Sequence, residues 1–452
     1  MTEQVIGFLQ RHINRDVFSG SSLRAKLLRG GAGSLMVKAG QVLLTFAVAV
    51  LLARMLGPED YGVYSFALAI IMLTASLVQI GVPQLVVRET AREVACGDWC
   101  VVRGLWRWSN AVVLSSSMLG LLAVVTYIIS SPGLDSPRGT TMTVGLLLIP
   151  LIAITAVRAS CLRGLMRMIW GLLTDSVFRL GFLLLFVTVF ALSVNMRNQI
   201  TPQIVMGLHL LAGLIAFLLS VFVLRRVGPA ALYSNVGRKY ESRAWRKAML
   251  PLGLTTGLHL VNSYTDLIVL GLLRSDAEVG VYRAVLQVAL LTVFGLHAIN
   301  QVLEPYFAQL FQRGDYNRLQ RLATISARLI LTFALPPIAL FLFAGDEVLA
   351  WVFGDAYHAG GVALSIVALA QLFNAAAGSV GVLLNMTRNE RYTVIGVAAA
   401  VVLNLCLNVL LIPTLGMEGA ACATAVSIVV WNLILWYFVR TRLHLRPSAL
   451  SI

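Results

Sequence analysis

The sequence predicts an all-α integral membrane protein of about 12 transmembrane helices, arranged as two six-helix bundles related by a pseudo-two-fold axis along the membrane normal. Of its 452 residues, 58% are hydrophobic and 12% charged. The apolar residues gather into stretches of about 20, the length a helix needs to cross a hydrocarbon core of about 30 Å. The connectors between them alternate between basic and cation-poor, and one motif recurs in the two halves of the chain. Spanning strands would need segments of about 10 residues with alternating polarity, whereas residues 42–53 and 363–372 are almost wholly apolar.

Five cations in an N-terminal arm precede the first span, Leu35–Met55, and Arg54 stands at its far end. The second span, Tyr61–Val82, returns to a connector carrying Arg88, Arg92 and Arg103. The third, Leu105–Ile129, leads to a connector whose one cation is Arg138. Around the end of the fourth, Met142–Cys161, lie Arg158, Arg163 and Arg167. The fifth and sixth, Trp170–Leu192 and Gln203–Leu224, flank Arg197 and end in a connector with seven cations between Arg225 and Lys247. The seventh and eighth, Leu250–Leu272 and Ala284–Leu303, are joined by a turn with Arg274 and Arg283. Four cations, from Arg313 to Arg328, introduce the ninth, Ala327–Phe343. The tenth, Val362–Leu384, is followed by Arg388 and Arg391. The eleventh and twelfth, Val394–Ile412 and Ala420–Val439, lead into a tail with three more. One side thus holds 27 Lys and Arg and the other five. Short basic loops stay cytoplasmic, so both termini are expected in the cytoplasm.

The formal charge of +15 is accounted for by this topology and by attraction of juxtamembrane cations to anionic headgroups, so membrane lipids are expected partners and nucleic acid is not. In residues 1–29, Val5, Ile6, Leu9 and Ile13 share a helical face, the pattern of an interfacial helix. This arm is too polar for a signal peptide. The five cysteines lack metal-ligand spacing, and no disulfide framework is expected.

The connector at residues 225–248 divides the chain into an arm (1–34), a first bundle (35–224), a second bundle (249–440) and a tail (441–452). LGPEDYGVYSFAL, containing Gly62, Val63 and Tyr64, and LRSDAEVGVYRAVL, containing Gly280, Val281 and Tyr282, each follow the first span of a half. Six spans per half make the repeats parallel, a plan found in transporters whose substrate site lies between the halves.

LLARMLGPEDYGVYSFALAI (51–70), GVPQLVVRETAR (81–92) and GDW (97–99) resemble the N-terminal signature of bacterial lipid-linked oligosaccharide flippases. These belong to the multidrug, oligosaccharidyl-lipid and polysaccharide exporter superfamily. NSYTDLIVLGLL (262–273) with VGVYRA, and NVLLIPTLGMEGAACAT (408–424), resemble later parts of the same family. Arg388, in LLNMTRNER, departs from relatives that often carry Gly there. The resemblance implies translocation of undecaprenyl-diphosphate-linked repeat units from the cytoplasmic to the periplasmic leaflet of a bacterial inner membrane, with the polysaccharide polymerase machinery as a further partner. The superfamily also implies an alternative, an ion-coupled exporter of amphipathic drugs.

Moving a glycan and a diphosphate through hydrocarbon requires a polar cavity, with Lys or Arg as counter-ions. Ionisable residues inside spans mark candidates. Lys38 either snorkels to the headgroups or faces the cavity. Asp175 and Arg179, spaced i,i+4, either neutralise one another or leave Arg179 to bind the anion. His259, Asn262, Ser263 and Asp266 are expected on one polar stripe. Either His259, Asn262 and Asp266 line the substrate cavity and Asp266, Asn262 and Ser263 couple transport to H+ or Na+, or the stripe hydrogen-bonds neighbouring helices. His297, Asn300, Gln301 and Glu304 form a second stripe, with Glu304 a cavity candidate. Arg54, Arg88, Arg158, Arg283 and Arg388 are candidate mouth or gate residues. Pro336 and Pro337 suggest a hinge. No catalytic constellation, metal motif, nucleotide-binding loop or cofactor signature occurs, so a transporter is favoured over a membrane polymerase or ligase.

Overall fold

Gly57 and Gly416 explain how very long helical runs become pairs of crossings. In the computed structural model, which describes residues 23–79, 81–131, 133–192, 200–229, 232 and 237–449, Leu23–Leu77 is helical except at Gly57 (φ 73°, ψ 173°). Only glycine reaches that backbone conformation without strain, and Pro58 then starts the next helix with its fixed φ. We name the two pieces α1 (23–56) and α2 (58–77). Thr45 and Met72 line the same small cavity. In one straight helix they would stand about 40 Å apart, so the chain doubles back. Gly416 (φ 58°) divides a second run into α14 (390–415) and α15 (417–438), and Gly419 returns against the Leu411 carbonyl.

Between these hairpins lie α3 (Val82–Cys96), α4 (Trp99–Ser130), α5 (Pro137–Gly164), α6 (Met168–Leu192), α7 (Pro202–Val227), α8 (Ser242–Leu273), α9 (Asp276–Gln312) and α10 (Tyr316–Phe343). They are followed by α11 (Gly345–Phe353), α12 (Gly361–Ala377) and α13 (Val380–Met386). Starts are fixed by local chemistry. The side chains of Asp98, Ser136, Thr201, Ser275 and Asp315 accept hydrogen bonds from free N–H groups of α4, α5, α7, α9 and α10, the usual work of N-cap residues. Among the described residues all regular structure is helical, and nine segments are long and apolar enough to cross a membrane. Two of those are the hairpins, and the apolar stretch Leu260–Leu273 of α8 completes 12 crossings. This is the multi-pass, two-bundle architecture expected from the sequence.

The hydrophobic arm residues 5–13 lie outside the described residues. The tenth expected span is interrupted: Gly378 (φ 73°) ends α12, and a Cβ there would lie 2.7 Å from that of Ala327 on α10. Pro336 and Pro337 lie inside α10, which is helical throughout.

The two halves meet through their repeated motif. A Cβ on Gly62 would lie 1.7 Å from the Asp276 carbonyl oxygen, and one on Gly280 would lie 2.0 Å from that of Pro58. The contact is reciprocal: the same 218-residue offset relates Gly62 to Gly280 and Pro58 to Asp276. Around it, Arg138 of the first half pairs with Asp276 of the second at 2.8 Å, donates to the Gly271 carbonyl at 2.7 Å and lies over the Phe66 ring. Tyr357 donates to the Ala53 carbonyl at 3.0 Å, and Arg54 donates to the Val352 carbonyl at 2.7 Å and to that of Trp351. Arginine suits such multi-carbonyl clamps because its donors fan out in a fixed plane. The end of the seam away from the basic connectors is thereby sealed. At the basic end the start of α8 leans on the first half: Lys239 N–H donates to the Cys100 carbonyl at 3.1 Å, Trp245 packs on Trp108, and Gly81 faces the Met249 carbonyl.

Candidate functional site: a polar seam between two bundles

Two cavities lie along the seam. The central one, of about 180 Å³, is walled by α1, α2, α6 and α7 from the first half and by α8 and α9 from the second. Its charged lining residues are Arg179 and Arg283, joined by the hydroxyls of Tyr61, Tyr64, Ser65 and Tyr264 and the amides of Gln41 and Gln287; no carboxylate is among them. Arg179 reaches the Nε2 of buried His209 at 2.5 Å, and the Nδ1 of that ring lies 2.8 Å from the Tyr64 hydroxyl. A guanidinium has donors but no acceptor. Nε2 therefore accepts, the ring proton sits on Nδ1, and Tyr64 accepts that proton in a hydrogen bond. The result is a guanidinium fixed by a neutral imidazole, with Asp175 as the carboxylate that acts on it electrostatically from outside the cavity lining. Arg283 reaches the Tyr61 hydroxyl, so tyrosines of α2 steady both cations.

The second cavity, of about 240 Å³, lies nearer the basic end and is lined by Ser76, Gln79, Gln84, Arg163 and Asp175 from the first half and by Gly253, Gly257 and Leu260 from α8. Residues Leu173–Val177 of α6 form a π-turn. Asp175 and Arg179 line different cavities yet stay within electrostatic reach of each other.

Asp266 lies elsewhere, inside the second half. Its carboxylate accepts from Asn408 Nδ2 at 2.6 Å, from Tyr282 at 3.3 Å and from Thr424, and Asn408 also donates to Asn404 at 3.0 Å. Asn408 Oδ1 is buried without a hydrogen-bond partner. The single stripe expected along α8 is split, because Asp266 points inward and is buried while Ser263 is exposed. The oxygens nearest Asp266 come from α9, α14 and α15, and Asn262 Oδ1 is buried without a hydrogen bond. The side chain of His259 lies outside the described residues.

The remaining candidates are dispersed. Lys38 is exposed at the basic end of α1, within electrostatic reach of His297 and Glu304 on α9. Arg54 belongs to the sealed end, whereas Arg283, expected at a mouth, lines the central cavity. Arg88 pairs with Glu89 at 2.8 Å. Arg158 lies inside the first half, its guanidinium 4.3 Å over the Phe217 ring. Arg388 is exposed in a left-handed turn before α14 (φ 61°).

His209, Asn404, Asn408 and Thr424 were not singled out from sequence. The signal was present: a lone His in an apolar stretch, and two Asn spaced i,i+4 in another, are as conspicuous in a membrane helix as a charge.

The family model described as "Polysaccharide biosynthesis protein" matches residues 27–311, more than half of the chain, and a model described as "MatE" matches residues 251–410. The chain is 24% identical over 428 residues to the "Probable flippase AglR" of Haloferax volcanii, covering 91% of this chain and 83% of the relative. It is 26% identical over 168 residues to the "Probable low-salt glycan biosynthesis flippase Agl15" of the same organism, a match spanning 37% of this chain and 36% of that relative. Among solved structures, it resembles the inward-facing conformation of a multidrug resistance MATE family transporter of the MOP superfamily (TM-score 0.74, 14% identity, 89% of this chain and 94% of that one). It also resembles the lipid II flippase MurJ in an inward closed conformation (TM-score 0.71, 14% identity, 90% and 87%). At that identity the structural likeness concerns the fold.

Proposed function

The chain belongs to the polysaccharide biosynthesis protein family, and from that premise we propose that it flips undecaprenyl-diphosphate-linked oligosaccharide repeat units from the cytoplasmic to the periplasmic leaflet. In this reading the basic end and both termini face the cytoplasm of a bacterial inner membrane. The polymerase that consumes the flipped unit is a further partner. The observation that carries it is the central cavity, where Arg179 and Arg283 are the charged lining residues and no carboxylate is among them. An ion removed from water needs opposite charge and directed hydrogen bonds, and a guanidinium meets phosphate oxygens with a matching fork. A cationic drug would meet repulsion there, which favours this reading over drug export. The sealed end holds cargo on the cytoplasmic side, and alternating access requires the Gly62–Gly280 crossing and its arginine clamps to separate while the basic end closes.

The driving force in this reading is an ion gradient sensed at Asp266. Its carboxylate, with oxygens of Thr424, Asn404 and Asn408 nearby, offers the hard donors that Na+ favours, and Asn408 Oδ1 is an orphaned buried acceptor of the kind a cation satisfies. Protonation of the same carboxylate is the alternative use of the site. Purified protein in proteoliposomes, given a labelled polyprenyl-diphosphate oligosaccharide and a Na+ or H+ gradient, should move label between leaflets faster than empty vesicles do. Unchanged flipping relative to empty vesicles under both gradients would refute the function.

A further inference from the structure

The cavity nearer the basic end has a chemistry unlike the central one. It presents one cation and one anion, Arg163 and Asp175, together with the amides of Gln79 and Gln84. Among the described residues Arg163 and Asp175 make no direct ion pair, although they are within electrostatic reach of each other. Arg163 is held from behind: its Nη2 donates to Ser160 at 2.8 Å, and its stem passes so close to Gly171 that a Cβ there would lie 2.5 Å from Cγ. Its Nε is buried and makes no hydrogen bond. Asp175 lies within the π-turn of α6, and such turns often mark functional positions.

This mixed lining selects by charge. A diphosphate is repelled by Asp175, and a cation by Arg163. A group that both donates and accepts satisfies both, since a carboxylate accepts from a hydroxyl, a guanidinium donates to one, and a primary amide does either. Several such groups on one rigid ring describe a sugar. The volume of about 240 Å³, against roughly 30 Å³ per water molecule in the liquid, is room for a ring rather than a few waters.

We propose that this cavity is a glycan subsite that takes an uncharged, polyhydroxylated sugar of the cargo while the diphosphate lies against Arg179 and Arg283. It rests on the flippase reading above. The seam then sorts one amphipathic molecule by its parts, with the anion at the middle and neutral rings toward the basic end. Because Gly253 and Gly257 come from the second half and the polar groups from the first, the subsite exists only while these two walls are together. It loosens its hold on the sugar when the walls part.

The test compares two probes on the full-length protein in nanodiscs: a polyprenyl diphosphate, and the same lipid carrying one N-acetylhexosamine. For the native chain the sugar should tighten binding at least about tenfold, about 1.4 kcal/mol. In Asp175→Asn and Arg163→Gln the ratio of the two dissociation constants should fall toward one. Gly257→Leu provides a variant that keeps every polar group. A Cβ at that position meets nothing within 4 Å, so the added side chain enters open space at the cavity wall and should remove the sugar's advantage without a loss of thermal stability. A native ratio near one, or a ratio unchanged by all three variants, overturns the subsite and leaves the flippase reading intact. Failure of the native chain to bind either lipid overturns both.

Discussion

Tyr64 and Tyr282 occupy the same place in the two repeats, 218 residues apart, yet serve opposite electrostatics. In the first half, Tyr64 holds His209, which in turn fixes the cation Arg179 on the seam. In the second, Tyr282 and Thr424 surround the buried Asp266, away from the seam. Duplication kept the backbone device, a glycine that permits crossing followed by a tyrosine that anchors a polar cluster. Divergence then changed the charge of each cluster. One half displays its charge to the seam cavity, and the other encloses its charge among donors from neighbouring helices.

The largest effect should come from breaking the element common to both halves. Gly62→Leu puts a Cβ where the Asp276 carbonyl stands 1.7 Å away. Main chain cannot step aside as a flexible side chain can, and overpacking costs about 1–3 kcal/mol or more. Flipping should be abolished, and a cysteine introduced at Ser65 in the central cavity should become reactive to a thiol probe added from the side opposite the basic connectors. A variant that flips at the native rate would show that the glycine crossing is dispensable.

The cationic half is sharpened by Arg179→Gln. Losing a charged hydrogen-bond donor costs about 1.5–3 kcal/mol, so a polyprenyl-diphosphate probe should bind about 10- to 150-fold more weakly by native mass spectrometry. The anionic half is sharpened by Asp266→Asn, which preserves shape and removes charge. Acceleration of flipping by an ion gradient should disappear, read as a ratio of rates with and without the gradient near one. A ratio equal to that of the native chain would remove Asp266 from coupling.

The smallest effect belongs to the clamp between halves. The Arg138 and Asp276 side chains keep 22% and 23% exposure, and an ion pair still reached by solvent contributes on the order of 1 kcal/mol. Asp276→Asn should therefore shift the balance toward the outward-open state only several-fold, detectable as faster labelling of a cysteine placed at that end.

Helix number and the repeat were legible because a bilayer imposes a length and a polarity that each segment must meet alone. Gly62 and Gly280 stood out for the same reason, since a motif repeated at the same turn of each half needs no partner to be seen. The sites were harder. Asp175 and Arg179 stand four residues apart, and that spacing does not say which cavity each of them lines. Asp266 was grouped with neighbours on its own helix, whereas its hydrogen-bond partners come from residues 16 to 158 positions away.

From sequence alone come the multi-pass helical class, the 12 crossings, the twofold plan and the abundance of cations on one side, because each follows from local hydrophobicity and charge count. Only the folded chain decides that Arg179 and Arg283 share one cavity while Asp175 turns to another and Asp266 is enclosed among α9, α14 and α15. Which helix face meets which neighbour depends on packing among a dozen helices at once.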